Sequence, residues 1–477
     1  MGDEIEHSHF VEDDFTRFKT ALETETQQLS ELFSADGFDK SRPVSGFEIE
    51  AWLVDQNFRP APLNEAFLKA FDNPLASPEL ASFNIEVNTE PRLIHGHVFS
   101  TMHHSLNDTW QRCHDTAASI GAKSIMCGIL PTLQNEDLTL ANMSKMKRYR
   151  ALNREVLHRR KGKPLTLDIN GKEHLKVTHR DVMLESAATS FQLHIQVTQQ
   201  QAARFYNASV IASAPLLALT ANSPFLFGKD LWDETRIPLF EQAVAVGGYE
   251  GAAFGPIHRV TFGTGYVRES LFECFAENLE HYPVLLPVDL DSSQNTFPHL
   301  RLHNGTIWRW NRPLLGFDDQ GQPHLRIEQR VVPSGPSTID AIANAAFFYG
   351  LVYKLATSQV APENSLLFAD ARDNFYHAAH MGLRSQLKWL DGHHHQTNEL
   401  LLEQLLPMAY EGLEKLEIST TDIKEYLGVI KDRLTAKTNG ATWQRAYVNK
   451  HGKDMLALTA SYYEQQNSGE PVHEWRV

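Results

Sequence analysis

Apolar positions along the chain switch between two spacings, and the switches mark its elements. Val11, Phe15, Phe18, Leu22, Leu29 and Phe33 recur at helical spacing among polar residues and predict an outer helix over 11–33. Over 46–54 the period becomes two: Phe47, Ile49, Ala51 and Leu53 point one way, Glu48 and Glu50 the other. A second alternating stretch, about 81–90, sets Phe83, Ile85, Val87 and Thr89 against Asn84, Glu86, Asn88 and Glu90. The next helix carries Phe99, Met102, Leu106, Trp110, Cys113, Ala117 and Ile120 on its stripe and stops at Gly121, leaving His103 and His104 off the apolar face. A short buried strand is predicted over 124–130.

A third informative strand, 185–197, places Phe191, Leu193, Ile195 and Val197 opposite Ser190, Gln192, His194 and Gln196. The helix predicted over 200–222 is closed by Ser223-Pro224, and 231–245 reads as a loop entering a further helix. Residues 299–313 predict a β-hairpin turning at His303-Asn304-Gly305, since Asn-Gly favours a type I′ turn. The fourth strand, 325–331, carries Arg326, Glu328 and Arg330 on one face and is broken by Pro333-Ser334-Gly335-Pro336. Ser337, with Asp340 three residues on, opens a long apolar helix. Helices are then expected over 339–357, 370–390, 398–416, 420–435 and 443–465, with His393-His394-His395 in a loop whose triple His reads as an adventitious metal binder. This order divides the chain into an N-terminal helix and loop (1–43), a central unit (44–360) that carries the four informative strands, and a helical C-terminal region (361–477) packed on the same body.

Composition narrows the function classes. The chain has 477 residues, 42% hydrophobic and 22% charged, with a net charge of -15, so it lacks the basic footprint that nucleic acid requires. Cys113, Cys127 and Cys274 are too few and too scattered for a disulfide framework or thiolate zinc site, which points to a reducing cytoplasm. The first ten residues lack the apolar run of a secretory signal, and no window is long and apolar enough to span a membrane. The Gly-rich stretch 247–265 reads as a mobile loop with neither G-x-x-x-x-G-K-S/T nor a strand-anchored G-x-G-x-x-G, so P-loop and dinucleotide folds are unsupported.

The chemistry lies on the polar strand faces. A strand rises about 3.3 Å per residue, so Glu48 and Glu50 stand roughly 7 Å apart, which suits ligation of adjacent divalent ions as well as a solvated face. With Glu86, Glu90, His194, Arg326, Glu328 and Arg330 on one sheet face, the result would be a channel of carboxylates, imidazole and guanidinium. Repulsion makes such a channel costly without cations, and its oxygen-rich, partly His-bearing donor set favours Mg²⁺ or Mn²⁺. The segment 142–160, with Lys145, Lys147, Arg148, Arg150, Arg154, Arg159 and Arg160, is either a solvated helix face or an anion-binding helix near the site.

Taken in order, Gly46-Phe-Glu-Ile-Glu50, Glu86-Val-Asn-Thr-Glu-Pro-Arg92, the His194 strand, Asn304-Gly-Thr-Ile-Trp-Arg-Trp-Asn-Arg-Pro313 and Arg326-Ile-Glu-Gln-Arg330 resemble glutamate-cysteine ligase family 2. These are carboxylate-amine ligases of the glutamine synthetase superfamily, and the resemblance spans roughly 44–360. It implies an α+β fold: a curved, mainly antiparallel sheet of glutamine synthetase-like type, with helices on its outer face and a helical C-terminal part. It also implies an ATP-dependent reaction in which phosphoryl transfer to a carboxylate gives an acyl phosphate that an amine attacks. Glu48, His194 and Glu328 would then hold one Mg²⁺, Glu50 and Glu86 another, with Glu90 a further candidate on that face. Arg330 would meet the transferring phosphoryl group. Arg309 or Arg312 would clamp phosphate or substrate carboxylate, and Lys147 and Arg150 would contact the nucleotide. Gln192 and Gln196 depart from the family pattern and suit substrate orientation. The partners expected are small molecules: ATP, glutamate or another amino acid, and an amine such as cysteine. A kinase on the same fold, a non-catalytic ATP- or amino-acid-binding protein and a metal-dependent hydrolase are the competing readings; the hydrolase leaves the arginines idle.

Overall fold

The computed structural model describes residues 4–5, 8–40, 43–246, 258–291 and 296–477. Its centre is an eight-stranded, curled antiparallel sheet built from β1 (Val44–Val54), β2 (Ala76–Pro78), β3 (Asn84–Asn88), β4 (Arg92–Leu93), β5 (Lys123–Ile125), β6 (Phe191–Val197), β7 (Asn311–Phe317) and β8 (Pro323–Gln329). The order is β7-β8-β6-β1-β3-β2, with β4 and β5 also pairing with β1. Apart from Phe83, the apolar residues of the alternating patterns go to one side: Phe47, Ile49, Ala51, Leu53, Ile85, Val87, Phe191, Leu193, Ile195, Leu325 and Ile327 share one buried core.

The helices that cover this face are α1 (Glu12–Ser34), α2 (Val98–Ser119), α4 (Gln199–Thr220) and α5 (Thr338–Ala356), while the basic stretch forms α3 (Lys147–Arg159). Helix α5 starts where its cap predicts, Ser337 Oγ accepting the Asp340 N–H. It is apolar nearly all round because it lies between the sheet and the C-terminal helix Leu406–Lys415. Gly350 and Gly412 make that crossing close, since a Cβ on Gly412 would collide with the Gly350 carbonyl oxygen. Helices Leu406–Lys415 and Thr420–Thr435 thus join the same core as the sheet. A second core, with Trp52, Phe83, Ile125, Trp443, Tyr462 and Trp475, closes one end of the sheet.

Several expectations shift. The 299–313 hairpin does not form: Pro298–Gly305 is a helix with Pro in its first turn, burying His299, Leu300, His303 and Asn304. Asn304 Nδ2 donates to the Pro313 carbonyl (2.8 Å), so the Asn-Gly pair ends a helix instead of turning a hairpin. The hairpin lies one step later, β7 to β8, and turns at 318–322, where Asp318 Oδ1 accepts the N–H groups of Gln320 and Gln322 and Gly321 takes φ 78°. The third strand is shorter than expected, because 183–187 coils into a 3₁₀ turn before Phe191. Of the expected 124–130 strand only Ser124 and Ile125 are paired, in a strand that begins at Lys123. Residues 370–390 end as a helix at Met381, and the rest joins a small strand pair with His394–Gln396. Gly452, at φ 92°, splits 443–465 into Gly440–His451 and Met455–Asn467. The loop expected over 247–265 lies mostly outside the described residues.

Candidate active site

Antiparallel register lines the polar residues up in three rows across the concave face. Arg312, Glu328, His194 and Gly46 stand opposite one another in the first; Gln192, Glu48 and Asn88 in the second; Glu50, Glu86 and Ser77 in the third. Because each row is two residues from the next along β1, all three face the same way.

Two ligand clusters result. In the first, Glu48, His194 and Glu328 offer ligand atoms within 4.8 Å of one another. His194 Nε2 lies 3.4 Å from Glu48 Oε1 and 3.7 Å from Glu328 Oε1, aimed between the carboxylates with no hydrogen-bond partner of its own. Tyr349 of α5 holds this strand from behind, its hydroxyl donating to the His194 carbonyl (2.9 Å). In the second cluster, Glu50, Glu79 and Glu86 likewise approach within 4.8 Å. Glu79 is the ligand that sequence reasoning missed. It follows the short β2, outside any alternating run, and only an acid beside a strand signalled it.

Fixed side chains join the clusters. Arg312 grips Glu328 at two points, Nε to Oε2 (2.8 Å) and Nη2 to Oε1 (2.9 Å). Arg330 Nη1 donates to Glu328 Oε2 (3.0 Å) and to Gln192 Oε1. Gln192, fully buried, donates in turn to Glu50 Oε1 (2.8 Å), while Ser190 N–H donates to Glu50 Oε2 (2.7 Å). Gln192 is therefore the link between the clusters, and Gln196 turns aside to Asp39 Oδ2 (2.6 Å).

The electrostatics divide along the same line. Burial would raise Glu48, but the facing His194 prevails and holds its carboxyl at about 2. Glu328 is also held low, Arg312, Arg330 and His194 overruling burial. The second cluster goes the other way. Burial and the neighbouring Glu86 push Glu50 up to about 8, and Glu79 and Glu86 are raised by burial and by adjacent carboxylates. Three buried acids without a cation repel one another, which is the condition a divalent ion would relieve. Three oxygens in one cluster and two oxygens with one imidazole in the other fit Mg²⁺ or Mn²⁺.

The remaining candidates are placed as follows. Arg309 points away from this face; it is 1% exposed, pairs with Glu277 (3.3 Å) and donates to Asn278 Oδ1 (2.6 Å) among the outer helices. Lys147 and Arg150 are exposed on α3, whereas Arg148 between them approaches the second cluster: its charge pulls Glu79 down against burial, and its Nη2 donates to the Tyr149 hydroxyl (2.7 Å). Glu90 is exposed and lines a small pocket with Phe47 and Ile49 on the far side. A cavity of about 470 Å³ opens beside the first cluster, with Glu48 and His194 among its lining.

A curled antiparallel sheet carries two acid-rich clusters on one face with helices behind it, and the comparisons with known proteins give this arrangement a family. The model of glutamate-cysteine ligase family 2 matches residues 44–471, and the chain belongs to that family, one of carboxylate-amine ligases. Among solved structures, the chain resembles a glutamate-cysteine ligase from Francisella tularensis in complex with AMP (TM-score 0.54, 11% identity, covering 91% of this chain and 90% of that one). It also resembles a bifunctional glutathione synthetase from Pasteurella multocida (TM-score 0.50, 11% identity, 92% of this chain), of which it spans 54%. At such identities the likeness concerns the fold. No curated protein matches by sequence.

Proposed function

We propose that this protein is an ATP-dependent carboxylate-amine ligase that forms a γ-glutamyl amide through an acyl phosphate, with cysteine the first acceptor to test. One observation carries the reading: two ligand clusters stand side by side on one sheet face, tied through Arg330, Gln192 and Glu50. Glu48, His194 and Glu328 would hold one divalent cation, and Glu50, Glu79 and Glu86 a second; when bound, such ions supply charge that neutralises phosphate oxygens during transfer. Arg312 keeps the Glu328 carboxylate ionised and aimed. Arg330 brings a guanidinium to the border between the clusters, where a phosphoryl group passing to a carboxylate would meet it. Gln192 fixes the distance between them. The three cysteines are buried and unpaired, which suits a reducing cytoplasm; among the described residues no helix is long and apolar enough to cross a membrane.

Phosphate release tests this reading, measured with ATP, Mg²⁺ and glutamate against a panel of amino acids and amines, with Glu328→Gln as control. Amine-dependent release that disappears in the variant supports the ligase and names its acceptor. Release that ignores every amine would mean ATP hydrolysis, and phosphorylated product without phosphate release or amide would mean a kinase; either would sink the reading.

A further inference from the structure

The guanidinium groups of the sheet are nearly all engaged within the protein: Arg309 with Glu277 and Asn278, Arg312 with Glu328, Arg330 with Glu328 and Gln192. Arg326 differs from these three: among the described residues no side chain accepts a hydrogen bond from it or pairs with it. It stands on β8 two residues before Glu328, on the same face and opposite Gln196. Its Nε is buried and meets no acceptor, and among the described residues no carboxylate lies within ion-pair distance of it. A guanidinium with idle donors in a partly buried position costs desolvation, which the more distant charges of Glu48 and Glu328 offset only in part.

Its setting indicates what would repay it. Arg326 lines the cavity of about 470 Å³ to which Glu48 and His194 of the first cluster also contribute. Away from that cluster the lining turns mixed, with Val44, Leu93 and Phe317 beside Asp39 and Asp318, and the volume falls within the range that takes a nucleoside-sized group. Gly46 stands beside His194 with open space where a side chain would be, so the way from the cavity to the cluster is clear. An anion joining a nucleoside in the cavity to the first cluster would lie against Arg326.

We infer that Arg326 is the residue that binds the polyphosphate of the nucleotide in this cavity, the task for which Arg309 and Arg312 are already committed elsewhere. The inference rests on the ATP-dependent reading above. A free phosphate chain suits the planar fork of Arg better than the point charge of Lys.

Calorimetric titration of adenosine, ADP and ATP in the presence of Mg²⁺ tests it, on the wild type, Arg326→Gln and Arg326→Lys, together with the KM for ATP and for the carboxylate donor. Loss of a charge-assisted hydrogen bond corresponds to roughly ten- to hundredfold. The expected result is that the gain in affinity from adenosine to ADP shrinks by at least about tenfold in Arg326→Gln. Arg326→Lys should recover part of it, with the donor KM unchanged and an unaltered melting temperature confirming the fold. ADP binding equal in wild type and Arg326→Gln overturns the inference alone. A rise in donor KM with nucleotide affinity intact also overturns it and assigns Arg326 to the donor carboxylate. Wild-type protein that binds neither ADP nor ATP overturns the ATP-dependent reading and the inference together.

Discussion

At the scale of single residues, the decisive feature is which side chains are free to act and which are held. Arg309 lies in a short strand pair outside the main sheet, Trp308–Arg309 beside Val260–Thr261, and the chain bends at Trp310 before Arg312 enters β7. In the sequence both simply flank the turn expected at His303-Asn304-Gly305, and nothing there separates their roles. Only Arg312 reaches the carboxylates. Trp310, between them, connects the site to another titrating group. Its carbonyl accepts the Arg330 N–H (3.0 Å), and its indole donates to Glu241 Oε1 (3.0 Å), which also accepts the Tyr376 hydroxyl (2.9 Å). Burial pushes the Glu241 carboxyl up to about 7 despite these two donors. An acid whose pKa is higher in the folded than in the unfolded protein contributes stability present below the unfolded value, about 4.5, and lost as pH rises through the folded one. With Mg²⁺ present throughout, the wild type should therefore melt at a lower temperature at pH 8.5 than at pH 5.5. Glu241→Gln, which keeps an oxygen for Trp310 and Tyr376, should show a smaller difference. Equal differences in the two proteins would remove Glu241 from this role.

At the scale of elements, alternation revealed most of the site because four strands present their candidate ligands by parity alone. Once Glu48, Glu86, His194 and Glu328 were placed on polar faces, the register needed only to bring those faces together, as the pairing of Glu50 with Glu86 and of Glu328 with His194 does. What alternation did not reveal was Glu79, which depends on how β2 leaves the sheet, and the helix Pro298–Gly305, where burial of His303 and Asn304 outweighed a local turn preference. The helix layer behind the sheet matters to the chemistry through one neighbour relation: Tyr349, which supports the His194 strand, precedes Gly350, the point of contact with helix Leu406–Lys415. Gly412→Ala places a methyl against the Gly350 carbonyl, with overpacking expected to cost about 1–3 kcal/mol. We expect a lower unfolding midpoint in urea and, since α5 must yield, weaker Mg²⁺ or Mn²⁺ binding. A variant with unchanged midpoint would show that the crossing has slack.

For the whole molecule, the C-terminal helices act as a fastening. Gln466 Nε2 donates to the Met126 carbonyl (2.7 Å) while its Oε1 accepts the Met126 N–H (3.0 Å). Tyr462 accepts from Asn222 Nδ2 (2.8 Å), and Asp340 of α5 accepts the Val472 N–H (2.9 Å). Truncation after Asp454 would strip these buried groups of partners at about 1–3 kcal/mol each and open the second core. Set against a typical stability of about 5–15 kcal/mol, that sum should leave a chain with little cooperative unfolding. Far-ultraviolet circular dichroism through a thermal ramp checks it; a sharp transition near the full-length midpoint would contradict it.

The brace behind His194 also imposes an order in time. Ribosomal synthesis produces Glu48, Glu50, Glu79 and Glu86 early, Glu328 much later, and only then helix α5 and the helix Leu406–Lys415 that backs it. Until those last segments emerge, the nascent chain carries a set of mutually repelling carboxylates and an imidazole with nothing behind it. A copy stopped before Glu328 therefore lacks the first cluster, and one stopped before Tyr349 lacks the hydroxyl that holds the His194 strand.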